Sequence, residues 1–247
     1  MAVQTKGFCK YCGKEYARSG MLRHLGSCKS RQKKLENENG KRKCNYFQIA
    51  IMGKYTKDYW LIVETSENTT LKELDKFIRE IWVECCGHLS AFTVNGIQYE
   101  SYPSTDSFWG SSSKNMNYRL RDVVDVGDNM LYEYDFGLTT ELIVNIYSVR
   151  EGEKKNSEIV ILSRNNPPKI ICSNCEQNNA MWVNPQGYYE GIPFLCDECL
   201  REEYGDEKDW DYESEFLLPI CNSPRMGVCG YEGSDTYPDR FMPDEES

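Results

Sequence analysis

Residues 46–87 read YFQIAIMGKYTKDYWLIVETSENTTLKELDKFIREIWVECCG, and the fold class is decided there. Residues 46–52 alternate, Gly53-Lys54 opens a turn, and residues 59–65 alternate again, which predicts a β-hairpin. Thr70-x-x-Glu73 is a capping box. Behind it Leu71, Leu74, Phe77, Ile78, Ile81, Trp82 and Cys85 recur at helical spacing until Gly87 stops the run. One amphipathic helix is expected, with its stripe in the core. Cys85 and Cys86, adjacent at its end, read as small buried or half-buried residues rather than metal ligands.

Downstream, residues 89–101 form two short strands around Asn95-Gly96, a strong hairpin turn signal. Residues 103–117 are rich in Ser, Gly and Asn and read as a mobile loop, and residues 120–124 as one helical turn. Strands follow at 130–137, 141–149 and 158–162. A hairpin, a helix and several more strands give an α+β domain, a helix packed on a mostly antiparallel sheet, with a β-grasp-like arrangement expected. No strand–helix–strand repeat supports a parallel nucleotide-binding sheet.

Beyond this domain lies Cys172-Ser-Asn-Cys175, then twenty residues, then Cys196-Asp-Glu-Cys199. Two such knuckles, with room for the second to fold back, are what a tetrahedral four-thiolate zinc ribbon requires. A pair of redox dithiols or disulfides is the competing reading. Upstream, Cys9-x2-Cys12, eleven residues, His24, three residues and Cys28 form a Cys-Cys-His-Cys finger, with His24 and Cys28 on one face of a short helix that Ser19 is expected to cap. The expected cofactor is zinc, two ions per chain. The finger resembles nucleic-acid-type zinc fingers, with a Cys-to-His gap one residue short and Cys as last ligand.

The net charge of −10 hides a division. Up to Lys43 there are twelve Lys/Arg against three Glu, a net +9, which leaves −19 for the remainder. A basic arm on an acidic body marks where an anionic partner would bind. Residues 29–43 read as a flexible basic linker. The candidate nucleic-acid contacts are Arg18, Arg23, Lys29, Arg31, Lys33, Lys34, Lys41, Arg42 and Lys43, which would give affinity without sequence choice. Residues 201–215 are acidic with interleaved aromatics and lack the spacing of a calcium loop. They read as a solvated face, or as an internal partner for the basic arm or a docking surface for a basic protein.

The first ten residues, MAVQTKGFCK, hold no apolar run, and no window approaches the ~20 apolar residues of a membrane span. A cytoplasmic location is therefore expected, where twelve cysteines serve better as metal ligands than as disulfides. Asp135-Phe136-Gly137 lacks the phosphate loop, lysine strand and catalytic loop of a kinase. It reads as a strand end in which Gly137 takes the unusual backbone angle and Asp135 caps the bend. His88 is the one histidine outside the finger. Its ordinary role is to bond a backbone carbonyl, and pairing with Asp135 or Glu141 is the catalytic alternative. Cys221 and Cys229 are too irregularly spaced for a knuckle, so residues 222–231 read as a closing loop, or as a recognition loop in which Arg225 meets a carboxylate or phosphate.

Several blocks carry a resemblance: Gly87-His88-Leu89-x-x-Phe92, residues 131–137 (LYEYDFG), Thr139-Thr140-Glu141-Leu142, residues 163–168 (SRNNPP) and residues 222–231 (NSPRMGVCGY). With them residues 45–231 resemble the plasmid pRiA4b ORF-3-like family, members of which are also described as TnpR-type passenger proteins of insertion elements. Its zinc-ribbon-bearing branch is the nearer likeness. The resemblance implies an α+β fold and a link to mobile elements, and no defined activity. Leu138-Thr139 stand where many members have Asp-Trp, so no role for those positions carries over.

The expected layout is a finger at 1–30, a basic linker at 31–44, the α+β domain at 45–165, the ribbon and closing loop at 166–231, and an acidic tail at 232–247. The leading expectation is a non-enzymatic zinc-binding protein that meets nucleic acid through residues 1–43. A protein–protein adaptor with purely structural zinc, its partner met through the acidic tail, is second. An enzyme using His88 and Asp135 is third. No membrane and no small-molecule substrate is indicated.

Overall fold

The computed structural model describes residues 5–38, 40, 42–103, 113–155, 158–188, 191, 193–205 and 216–244. The chain divides into two compact units, one of residues 1–79, 88–166 and 240–247, the other of residues 80–87 and 167–239. The stretches expected as finger and linker fall in the first unit, as does the expected α+β domain apart from residues 80–87.

That unit begins with a hairpin of β1 (Lys6–Phe8) and β2 (Glu15–Ala17), followed by α1 (Arg18–Ser27) and α2 (Lys29–Glu36). Its large sheet contains β3 (Lys43–Gly53), β4 (Trp60–Ser66), β5 (Ser90–Val94), β6 (Ile97–Glu100), β7 (Lys114–Asn115), β8 (Asn129–Tyr134), β9 (Thr140–Glu153) and β10 (Val160–Arg164). They lie in the order β10-β4-β3-β9-β8-β5-β6-β7, antiparallel throughout except β6 with β7. The expected mixed α+β class and mostly antiparallel sheet are present. Asn95 and Gly96 both take positive φ, 48° and 79°, as a two-residue turn between right-twisted strands requires.

Helix α3 (Leu71–Ile78) starts at the capping box: Thr70 Oγ1 accepts from Glu73 N, and Glu73 accepts from Thr70 N. Its buried Asp75 carboxylate accepts from Ser90 Oγ (2.7 Å), Tyr132 Oη (2.9 Å) and Arg79 Nε (2.9 Å), which ties α3 to β5 and β8. The single α-helix expected here changes to a π-helical turn at Arg79–Val83. Ile81, Trp82 and Val83 are all buried, and three successive residues of an α-helix sweep too wide an arc to share one apolar stripe.

Strand β4 is buried along its whole length instead of alternating. Successive side chains face opposite sides, so both sides are covered. Trp60 and Ile62 pack with Leu162 against Cys9, Met21, Leu25 and Cys28 of the N-terminal segment. The finger is therefore one wall of the core. The stretch expected as a flexible linker is helical over α2, because Arg31 inserts into the same region and pairs with Glu64. Ser19 does not cap α1: Ala17 occupies the cap position, with no side-chain bond to the helix.

Gly7 lies against the carbonyl of Arg164, in a bridge that pairs Gly7 with Asn165. An added Cβ would collide with that carbonyl and with the Trp60 ring. Gly7→Ala is expected to cost about 1–3 kcal/mol, as overpacking does, read as a lower thermal midpoint. An unchanged midpoint would contradict this close approach.

The second unit holds a small antiparallel sheet, β12-β11-β13, of β11 (Trp182–Val183), β12 (Phe194–Leu195) and β13 (Leu218–Pro219), with α4 (Asp197–Tyr204) after β12. Its segment 222–231 wraps Trp82, which is fully buried and donates from Nε1 to Asn222 O (3.1 Å), while Ser223 Oγ donates to Trp82 O (2.6 Å). Among the described residues no helix is long and apolar enough to cross a membrane. The centres of the expected mobile loop (104–112) and of the acidic stretch (206–215), and the last three tail residues, lie outside the described residues.

Candidate metal centres

Four sulfurs about 2.3 Å from a common zinc ion stand about 3.8 Å apart, and a sulfur and an imidazole nitrogen about 3.5 Å apart. In the finger, Cys9 Sγ and Cys28 Sγ are 3.9 Å apart, and Cys12 Sγ is 3.2 Å from His24 Nε2. The hairpin makes the first knuckle. Gly13, at φ 65°, donates to Cys9 O (3.0 Å), and Cys9 N donates to Lys14 O (2.9 Å). Helix α1 carries His24, whose ring stacks on Tyr16 at 4.4 Å, and Cys28 follows its last turn. Burial pushes the Cys9 thiol up to about 12, and burial followed by the Lys14 charge lowers His24. A buried thiolate needs a cation beside it, and the neutral imidazole is already in its ligating form. The donor set fits zinc.

In the ribbon, Cys172, Cys175, Cys196 and Cys199 gather with their sulfurs within 4.8 Å of one another, Cys175 and Cys196 at 3.9 Å. The first knuckle closes through Glu176 N to Cys172 O (3.0 Å), with Glu176 at φ 55°. The second is the first turn of α4, where the helix dipole favours thiolates. Burial raises Cys172, but the backbone N–H groups of Cys175, Cys196 and Asn174 more than offset it, and its thiol comes down to about 6. Burial and the neighbouring thiols push Cys199 up to about 12. Among the described residues, Leu195, Leu200 and Leu217 pack around the sulfurs, with Trp182 and Tyr204 alongside. The finger and ribbon cysteines are all thiols, so neither site is a disulfide pair.

The cysteines set aside in the sequence gather as well: Cys85, Cys86 and Cys229 place their sulfurs within 4.8 Å of one another. Sequence reasoning missed them because Cys86 and Cys229 are 143 residues apart. The one available signal was His88, two residues beyond the vicinal pair. Arg225, read as a candidate recognition residue, is fully buried and donates from Nη2 to Cys85 Sγ (3.4 Å).

The basic residues separate by environment. Arg23, Lys29, Lys33, Lys34, Arg42 and Lys43 are exposed. Arg31 is buried, with Nη2 2.5 Å from Glu64 Oε2 and Nη1 donating to Leu25 O. Half-buried Arg18 rests on Met52 Sδ. Lys41 lies outside the described residues. Within the tail, Asp244 joins Lys10 (2.7 Å) and Lys34 (2.8 Å); burial opposes its ionisation, but the two ammonium groups hold its carboxyl below the ordinary range.

His88 is half-buried. Its carbonyl accepts from Arg79 Nη2 (2.6 Å), and its Nε2 lies 3.5 Å from Asp135 Oδ2. Asp135 does cap the bend, its Oδ1 accepting from Gly137 N and Leu138 N, but Asp135 itself takes the left-handed angle (φ 65°) expected of Gly137. A short polar side chain that bonds its own turn is the non-glycine residue best suited to that region.

No curated protein matches this chain. The chain is similar to the solved structure of a protein of unknown function, MM3350 from Methanosarcina mazei Go1, at 15% identity and a TM-score of 0.43 over 83% of this chain and 97% of that one. The family model for plasmid pRiA4b ORF-3-like proteins matches residues 46–214, so most of the sheet and the whole four-cysteine ribbon lie within it. The chain belongs to the plasmid pRiA4b ORF-3-like family.

Proposed function

We propose that this is a non-enzymatic, zinc-stabilised binding protein whose finger and ribbon each hold one ion and whose finger presents a basic face to nucleic acid. The observation that carries the reading is the finger itself: a four-ligand cluster fixed against the sheet, with Arg23, Lys29, Lys33 and Lys34 exposed on its two helices. The ions act as structure, since closed four-ligand sites leave no position for substrate. A cytoplasmic location and the association with mobile elements accompany this reading, the latter supported by the family resemblance, as does the zinc-ribbon branch. The helix following the β3–β4 hairpin supports the β-grasp-like description.

A second reading has its own observation. Asp244 already sits on Lys10 and Lys34, so this face accepts carboxylates, and an acidic protein segment is the alternative partner. An enzymatic role for His88 and Asp135 has less support, because their 3.5 Å separation exceeds a hydrogen bond and the other Asp135 oxygen is engaged in its turn.

The test is binding of the full chain to labelled duplex and single-stranded DNA and RNA. Removing residues 1–43 is not a clean test, because Met21, Leu25 and Arg31 are core. About four phosphate contacts predict about a hundredfold loss of affinity between 50 and 200 mM salt. Lys29→Glu with Lys33→Glu is expected to weaken binding, and Asp244→Asn, which frees Lys10 and Lys34, to tighten it. Absence of binding to any of these probes at the lower salt would contradict the nucleic-acid reading, and recovery of an acidic partner would favour the second.

A further inference from the structure

We propose a third metal site, built by Cys85, Cys86 and Cys229, that takes a soft divalent ion such as zinc. It is independent of the finger and the ribbon.

Three thiols whose sulfurs lie within 4.8 Å of one another already form most of a tetrahedral donor set. Their convergence is built rather than incidental. Cys85 and Cys86 follow the π-helical turn Arg79–Val83, and such turns recur at functional sites. Cys229 is held by a chain of turns: Met226 N to Ser223 O, Val228 N to Arg225 O and Tyr231 N to Val228 O. Gly227 (φ 76°), Cys229 (φ 51°) and Gly230 (φ 68°) all take left-handed backbone. A cysteine in that conformation is strained, and it sits beside Cys86, whose Sγ lies 3.9 Å from Cys229 O. The bonds from Trp82 to Asn222 and Ser223 register this loop against the segment that carries the vicinal cysteines.

Charge gives a second, independent sign. Three thiolates and one divalent ion leave a net charge of −1, and the buried Arg225 guanidinium lies 3.4 Å from Cys85 Sγ, where it offsets that charge. Three protein thiolates leave the fourth position to water. Thiolates select zinc over hard cations. The bound ion would fasten the 222–231 loop to the 80–87 segment.

The test uses the full chain and zinc alone. Elemental analysis is expected to give three equivalents per chain, falling to two in Cys229→Ser and in Cys85→Ser. Cys44→Ser, which removes a thiol outside all three clusters, is expected to keep three. Because a serine variant risks misfolding, a second readout is made on the unmodified chain. Exposed Cys86 is expected to resist alkylation, followed by peptide mass spectrometry, when zinc is bound, and to react once a chelator strips the ion. Two equivalents in the unmodified chain, or equal Cys86 alkylation with and without zinc, would overturn the proposal while leaving the finger and ribbon assignments standing.

Discussion

Replacing Cys172 or Cys196 with serine is expected to remove one zinc equivalent and unfold the ribbon. The reason is how little else holds it together. Among the described residues the core around the four sulfurs contains three leucines, and the sheet beside it has strands of two residues each. Structural zinc contributes about 10–16 kcal/mol of apparent binding free energy in small zinc peptides. A whole domain is stable by only about 5–15 kcal/mol, so loss of the ion removes most of the ribbon's stability. Limited proteolysis should then cut within residues 167–239 while the first unit survives, since its sheet has its own core. A serine variant that keeps its zinc and its protease resistance would show that the cluster is not a metal site.

The second large effect is expected at Glu64. Its Oε2 lies 2.5 Å from Arg31 Nη2, its Oε1 lies 2.6 Å from Arg150 Nη2, and Arg150 reaches on to Glu38 at 3.2 Å. Glu64 and Arg31 are 6% and 7% exposed, so solvent cannot replace a lost partner. Burial tends to lower the Arg150 guanidinium, but Glu64 and then Glu38 raise it further above its ordinary range. Glu64→Ala leaves the buried Arg31 facing the half-buried Arg150 without the carboxylate between them, a loss of about 3–5 kcal/mol for removal of one member of such a group. For a chain of this size that is a fall in Tm of roughly 6–20 °C. Adding Arg31→Met to Glu64→Ala should recover part of it, because the unpaired charge goes too. A loss below about 1 kcal/mol, as for an exposed pair, would mean that α2 is not anchored this way.

What was legible in the sequence was local. The β3–β4 hairpin, the capping box at Thr70 and the Asn95-Gly96 turn each signal over a few residues, and each is in the structure. The finger and ribbon ligands were legible because knuckle spacing fixes two donors at a time. Non-local pairing was not legible. Helix α2 is polar and lacks an apolar stripe, and it is anchored by Arg31 through a glutamate 33 residues away. Strand β4 opens on the apolar run Trp60-Leu61-Ile62-Val63, the mark of a strand covered on both faces, but nothing in that run says that the finger closes one of them. The third thiol cluster was hidden for the same reason, since nothing near Cys229 points to Cys86.

The most direct measurement of the central claim, that the finger and the ribbon each bind an ion, is zinc content of the purified chain beside its Cys9→Ser and Cys172→Ser variants. Each substitution is predicted to lower the content by one equivalent, and the two together by two. A chain that purifies without zinc, or variants that match it in metal content, would contradict the account.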